Sequence, residues 1–454
     1  MKTDTVNAVS LVSRRRLDAG YFLSSGMRAA ERVESAKAKG VPFVTLGGKD
    51  GIARVWQPNR FKRVYASPSE KHLPYLRPYD VFEYLPAAAD LLSVKRNKNI
   101  QNYVLTRGMI LQSCSGRNLG PAVFADDYLA KFALSHDVIR IEVADEQLRN
   151  YTLAYLQSET GQQLLRQGKT GSVIDHISTD HVAELEMPLL PLKVRRAAAR
   201  AMERAVKLRE EARVKLDAAL SAYEQLLPKP LRSQPTKLGW TINATKLLSR
   251  LDAASYDPFI ADVRKHLIDA GGIPLSSVAS VVKPAGRYKT YYVGREYGRP
   301  ILSGTQILQA QLINLRFIAP RAFKDFTAYQ LRKGWLVYQA DGRAEETLGL
   351  PAMVTSDRHK WLASGHVGRI IARKGINAGW LFLAVRTWCV QVQIKALASG
   401  SVVDSTFPQD MESVILPPPM DVDGDAIQEL WEDFAKARKA EDKAITMVEK
   451  ALSS

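Results

Sequence analysis

The chain has 454 residues, with 64 Lys plus Arg against 47 Asp plus Glu, and a formal net charge of +17. At roughly 100–200 residues per domain this length predicts two or three domains. Its 46% apolar and 24% charged residues exclude a mostly disordered chain. Cys114 and Cys389 share no metal or redox spacing, which excludes a disulfide framework and fits a reducing compartment such as the cytoplasm.

The first twenty residues lack the apolar core of a secretory signal, and no run approaches the ~18 apolar residues of a membrane span. The expected setting is therefore cytoplasmic and nucleoid-associated, with no membrane partner. The positive excess suits nucleic acid, because Lys and Arg that neutralise phosphates release bound counterions. Charge alone is equally compatible with a plain basic surface.

In chain order, residues 1–190 read as short β-rich segments separated by Gly, Pro and Asn turns: 41–46, 104–112 and 137–143, followed by a helix at 149–167. Between Pro191 and Pro228 no Gly or Pro interrupts a run rich in Ala, Arg, Lys, Glu and Leu, and a helix is expected over 191–228. Its apolar residues Ala201, Ala205, Leu208, Ala212, Leu216, Ala219, Tyr223 and Leu227 recur at steps of three and four, the mark of an amphipathic helix. A proline-containing linker, 229–237, opens a second β-rich region, 229–420, with segments at 301–302, 334–339 and 366–372 and a helix at 378–397. A second long helix is expected over 421–454. The class is α+β.

The second half repeats the first. Arg16-Leu17-Asp18-Ala19 returns as Arg250-Leu251-Asp252-Ala253, and Leu105–Ile110 as Leu331–Leu336. Thr170–Asp175 returns as Ser399–Asp404, and Met187–Pro191 as Ile415–Pro419. The order is preserved and the spacing stays near 230 residues, far too long for a solenoid, so each copy is a globular domain plus a helix. Residues 191–228 hold 9 basic and 5 acidic side chains, and 421–454 hold 5 and 9. Opposite net charge favours pairing of the two helices, as flanking charges do in coiled coils. An antiparallel pair holding two similar domains at opposite ends of a rod is the expectation.

Catalytic motifs are scarce. Residues 163–170 end like a phosphate-binding loop, but Gln163 stands where the first glycine belongs. His176 and His181 lack a third ligand at sensible spacing, so no metal is expected, and no cofactor loop appears. A nuclease with unrecognised carboxylates stays open as an alternative, as does a protein-interaction scaffold.

Cationic, amide and aromatic groups mix at 60–65, 95–99 and 287–292, a composition suited to phosphates and base edges. Polar glycine loops at 113–120, 169–172, 341–343 and 399–401 suit close approach of backbone to phosphate, although a tight turn needs the same glycines. The candidate DNA contacts are Arg63, Lys95, Asn97, Arg117, Lys169 and Ser172 in the first copy. In the second they are Arg287, Lys289, Gln306, Arg343, Ser399 and Ser401. Asn97 and Gln306 are the expected adenine readers.

These repeats, the Arg-Gly and Lys-Gly pairs at 107–108 and 333–334, and the Thr-Gly-Ser-Val and Ser-Gly-Ser-Val loops resemble the specificity subunit of type I restriction-modification systems. The likeness covers nearly the whole chain and rests on the order of its motifs. It implies two target-recognition domains (1–190 and 229–420) reading a split sequence in double-stranded DNA, with spacer helices at 191–228 and 421–454. It also implies a non-catalytic subunit without a cofactor, which directs partner adenine methyltransferase subunits, two in number, and a restriction or translocase subunit where one is present. The lead-in to the first helix, Leu190–Arg196, is basic where that family has an acidic, glutamine-containing segment. A reader serving another phage-defence system is therefore the alternative. The copies carry unequal charge, 25 basic against 20 acidic in 1–190 and 25 against 13 in 229–420.

Overall fold

The computed structural model describes residues 25–67, 69–88, 90–115, 119–167, 176–227, 239–246, 251–284, 290–322, 326–400, 402–420 and 422–454. It divides into two compact units. The first is Met1–Glu211 with Gln311–Asn314 and Lys436–Ser454; the second is Ala212–Ala310 with Leu315–Ala435. Among the described residues no helix is long and apolar enough to cross a membrane.

In the first unit, helix α1 (Ser25–Ala38) precedes β1 (Phe43–Thr45), which pairs antiparallel with the late strand β9 (Glu186–Pro188). A four-stranded antiparallel sheet runs β2 (Ala53–Trp56), β8 (Val138–Val143), β5 (Ile110–Ser113), β6 (Val123–Phe124). A smaller sheet orders β4 (Asp90–Ser93), β3 (His72–Leu76), β7 (Ala133–Leu134), with β3 and β7 parallel. Strand β8 is rich in β-branched residues and almost wholly buried, as a central strand should be. Helices α2 (Glu146–Gln157), α3 (Glu159–Gln167) and α4 (Thr179–Ala183) follow, α2 capped by the Asp145 carboxylate accepting from Leu148 N at 2.6 Å.

The second unit repeats this plan. After α6 (Pro258–Asp269), β10 (Ile273–Pro274) pairs with the last strand, β21 (Ile415–Leu416). Helix α7 (Leu275–Val278) leads into the four-stranded sheet: β11 (Ala279–Val282), β19 (Val367–Ala372), β15 (Leu336–Gln339), β17 (Pro351–Met353). The smaller sheet again has a parallel pair, β13 (Arg299–Leu302) with β18 (Leu362–Ala363). It is flanked by β14 (Arg316–Ile318) and gains one strand, β12 (Tyr292–Val293). A short pair, β16 (Asp341–Gly342) with β20 (Asp404–Ser405), closes a loop. Helices α8 (Ala378–Arg386), α9 (Trp388–Ala396) and α10 (Pro408–Glu412) match α2–α4 in order. The repeat read from short motifs is thus a repeat of strand order and direction, and the α+β class holds.

Two buried arginines mark the equivalence. Arg140 on β8 and Arg369 on β19 are 0% and 1% exposed. Arg140 donates to the carbonyls of Val138 (2.8 Å) and Leu134 (3.3 Å), and Arg369 to those of Val367 and Ala363. The Arg140 guanidinium also lies 5.4 Å from the Trp56 ring centroid. Burial pushes its pKa down to about 10, which still leaves it charged at neutral pH.

The long helices are α5 (Leu192–Gln225) and α11 (Gly424–Ser453). A glutamate on each receives a main-chain N–H and a cation from its β-rich copy. Glu210 accepts from Asp127 N at 2.8 Å and from the Arg107 guanidinium. Glu432 accepts from Ser356 N at 2.9 Å, with Lys333 Nζ at 3.6 Å. In the first unit, Ala198, Met202, Ala205 and Val206 of α5 share one core cluster with Ala444, Val448 and Leu452 of α11, and with Ile139, Ile141 and Leu153 of the β-rich copy. Early α5 meets late α11, and the helices therefore run antiparallel. In the second unit Trp431 packs edge-on against Phe382, and Trp380 Nε1 donates to the Tyr223 hydroxyl at 3.1 Å.

Opposite net charge is not what pairs the helices in the first unit. There, 192–211 carry seven basic and three acidic residues, and 436–453 carry five and three, so both segments are positive. The acidic excess of α11 sits in 424–435, which hold four carboxylates and no cation and belong to the second unit. An apolar seam carries the pairing instead, with one ion pair inside it: Arg209 Nη2 to Glu441 Oε2 at 2.8 Å, both side chains under 10% exposed. Gln311 Nε2 donates to the other carboxylate oxygen at 2.7 Å.

Removing one member of such a pair leaves a buried charge without its partner. Glu441→Ala is expected to cost about 3–5 kcal/mol in denaturant unfolding. Replacing both Arg209 and Glu441 by Leu should cost markedly less, because no ion is then stranded.

Candidate nucleic-acid interface

In the first copy, two loops beside the smaller sheet are fastened together by one amide. Asn97 is 5% exposed. Its Nδ2 donates to the carbonyls of Val64 and Ser93, each at 2.7 Å, and its Oδ1 accepts from Val64 N at 3.0 Å. Ser93 N donates to the Val64 carbonyl at 3.0 Å, and Arg96 Nη2 to the Tyr65 carbonyl at 2.7 Å. The Tyr103 hydroxyl holds the start of the first loop through Asn59 O at 2.7 Å. Residues 59–66 and 93–98 therefore form one platform, with Arg60, Lys62, Arg63, Lys95 and Lys98 exposed on it. Arg63 leans over the Tyr75 ring at 5.8 Å. Glu70 beside them is taken up by Arg96 and Ser93, whose hydrogen bonds hold its carboxyl below the usual range.

The second copy presents a different surface on the same frame. Arg316 on β14 lies 4.9 Å from the Tyr292 ring of β12, and Arg299 on β13 lies 5.2 Å from Phe326. Tyr291, Tyr292 and Tyr297 are half or more exposed, as are Arg295, Arg299 and Arg316 in the looser sense of being solvent-facing. A guanidinium on an aromatic face can pair with phosphate or guanine while the ring stacks. Nearby, Asp341 binds Lys283 Nζ and His366 Nδ1, each at 2.6 Å. Burial alone would raise this carboxyl, but hydrogen bonds from Lys283, Ser405 and His366 outweigh it and hold the group below its ordinary value.

Of the residues expected from sequence, Arg63, Lys95 and Arg343 are exposed. Arg63 and Lys95 are brought onto one platform. Asn97 is corrected from adenine reader to positioning residue, because the backbone occupies both ends of its amide. Gln306 is corrected likewise: it is 8% exposed, and its Oε1 closes its own turn by accepting from Ser303 N at 3.0 Å. Ser399 is partly buried and exchanges main-chain bonds of 3.0 and 2.8 Å with Ser405. Arg117, Lys169, Ser172, Arg287, Lys289 and Ser401 lie outside the described residues, as do the Arg16–Ala19 motif and the 229–237 linker. Sequence reasoning missed Arg299 and Arg316, which lie outside the runs it singled out; Arg316 meets the Tyr292 ring through strand pairing, and Arg299 meets Phe326 from a later turn. Arg60, Lys62 and Lys98 lay inside the runs it singled out.

The two histidines singled out by the sequence have protein partners. His176 Nδ1 meets Ser115 Oγ at 2.8 Å, and His181 Nε2 lies 3.1 Å from the Leu164 carbonyl. Burial pushes both thiols, Cys114 and Cys389, up to about 11, away from nucleophilic use. Among the described residues no group of three or more His, Cys, Asp or Glu side chains could hold a metal.

A positioning role for Asn97 and a surface role for Lys95 separate cleanly by stability. Asn97→Ala leaves Val64 N without its acceptor and removes the side-chain bonds that fasten the two loops, and should cost about 1–3 kcal/mol, seen as a lower melting temperature. Lys95→Gln should melt with the parent protein.

No family model and no curated protein matches the chain. Solved structures similar to it include a type I restriction-modification S subunit from M. genitalium, at 12% identity and a TM-score of 0.30 over 91% of this chain and 96% of that one. The HsdS subunit from Thermoanaerobacter tengcongensis is similar at 12% identity and a TM-score of 0.27, over 89% and 97%. A third chain, from a structure concerned with complex assembly and conformational transition of the type I R-M system, is similar at 13% identity and a TM-score of 0.28, over 88% and 97%.

Proposed function

We propose that this chain is a non-catalytic reader of DNA sequence, acting as the specificity subunit of a type I restriction-modification system or a related defence assembly. One observation carries the reading: the same strand order occurs twice and supports two unlike cationic surfaces. The first copy offers lysines and arginines on an amide-braced platform, and the second offers arginines stacked on aromatic rings. Two different surfaces on one frame suit two different half-sites of a split target in double-stranded DNA. Arg63 and Lys95 would serve one half, and Arg299, Arg316 and Arg343 the other.

The long helices serve as spacers and as the docking surface for adenine methyltransferase subunits, one for each copy, and for a restriction or translocase subunit where one is present. The chemistry belongs to those partners, so this chain needs no cofactor of its own. Its role is to place them.

Selection of bound duplexes from a random library, followed by sequencing, tests the proposal directly. The expected result is two short motifs separated by a constant gap. Arg299→Gln with Arg316→Gln should relax one motif and leave the other intact, at about 1–3 kcal/mol for each lost base contact. A single continuous motif would overturn the reading, as would cleavage of DNA by the chain alone in magnesium.

A further inference from the structure

The parts of α5 and α11 that lie in the first unit have an unusual division of charge. On α5, Lys193, Arg196, Arg200, Arg204 and Lys207 are exposed and recur at steps of three and four, so they fall on one line along the helix. On α11, Lys436, Lys439, Lys443 and Lys450 are exposed at steps of three, four and seven, again along one side of the helix. Each line spans fourteen residues, about 21 Å, the axial length of about six base pairs.

The carboxylates of these segments are drawn inward. Glu210 is held by Arg107 and Asp127 N, and Glu441 by Arg209 and Gln311. Glu449 accepts from Thr160 N at 2.7 Å and Thr160 Oγ1 at 3.0 Å. Exposed acids are reduced to Glu203 and Asp442, while Glu211 lies 3.9 Å from Lys207. An ordinary solvated helix intersperses both signs; here nine exposed cations face two exposed anions. Leu192, at one end, is the large apolar side chain these segments expose among the described residues. Lys, six of these nine cations, is depleted at protein interfaces, so the two lines suit an anionic partner and leave subunit docking to the rest of the helices. They carry no aromatic or amide group to read a base.

We propose that these two cationic lines bind the phosphate backbone of duplex DNA without regard to sequence, so that the helix pair is a DNA-contacting element as well as a spacer. The inference rests on the reading of the chain as a DNA binder and extends it to residues outside the β-rich copies.

The test compares the full chain with a variant carrying Lys193→Gln, Arg196→Gln, Arg200→Gln, Arg204→Gln and Lys207→Gln, on an unrelated duplex and on a selected target. The logarithm of affinity should fall less steeply with the logarithm of salt, by about 0.9 for each lost phosphate contact and about 4.5 if all five engage. Affinity for both duplexes should drop by the same factor, leaving their ratio unchanged. A variant with Lys439→Gln, Lys443→Gln and Lys450→Gln repeats the test on the other helix should the first fail to fold. An unchanged salt slope with DNA binding intact overturns this inference alone, and so does a changed preference between the two duplexes. Absence of DNA binding by the parent chain overturns the reading beneath it as well.

Discussion

Each β-rich copy is tied to a long helix by a glutamate that meets a main-chain N–H from one loop and a cation from another. Glu210 does this with Asp127 and Arg107, and Glu432 with Ser356 and Lys333. The helix supplies an acceptor to a main-chain donor of the globular copy, and that copy supplies a cation to the helix carboxylate. Around that contact the apolar faces of the helices complete the cores. Within each unit, the direction in which a surface faces is therefore fixed by packing rather than left to a linker. A reader of DNA depends on that constraint, because a side chain misplaced by an ångström loses its hydrogen bond.

Charge is organised more finely than whole-segment totals suggest. Summed over 191–228 and 421–454, the charges cancel, as if the helices were a neutral spacer carrying a complementary pair. The cancellation comes from adding a basic region in one unit to an acidic region in the other. Inside the first unit the helices pair despite like net charge, because an apolar seam and the Arg209–Glu441 bond dominate where water is excluded. Exposed cations stay on the outside, where solvent screens their mutual repulsion.

Much of the architecture was legible in the sequence. The duplication showed through glycine loops and proline-containing strands, whose backbone geometry tolerates few alternatives. The long helices showed through their apolar period. Strand order and the division of each copy into a larger and a smaller sheet with short strand pairs beside them did not, since pairing joins residues far apart in the chain. The site was less legible. An asparagine among lysines reads the same whether it faces solvent or, like Asn97, braces two loops from within. Arg299 and Arg316 carry no local signal, because the rings beside them arrive from other strands or a later turn. Arg140 and Arg369 count toward a basic composition although neither contributes to the accessible surface.

Those two arginines bear on how such a chain could diversify. The donors of Arg140 find carbonyls at Leu134 and Val138, within six residues of itself. Arg369 repeats the arrangement with Ala363 and Val367, and also donates to the Tyr329 carbonyl at 3.3 Å. The charged centre of each copy thus has two of its acceptors on the same short piece of chain. A stretch of coding sequence exchanged elsewhere in the copy would leave those two bonds in place. The frame can then be inherited while the outward loops are rewritten, and one ancestral unit could come to serve two unrelated recognition tasks in a single polypeptide.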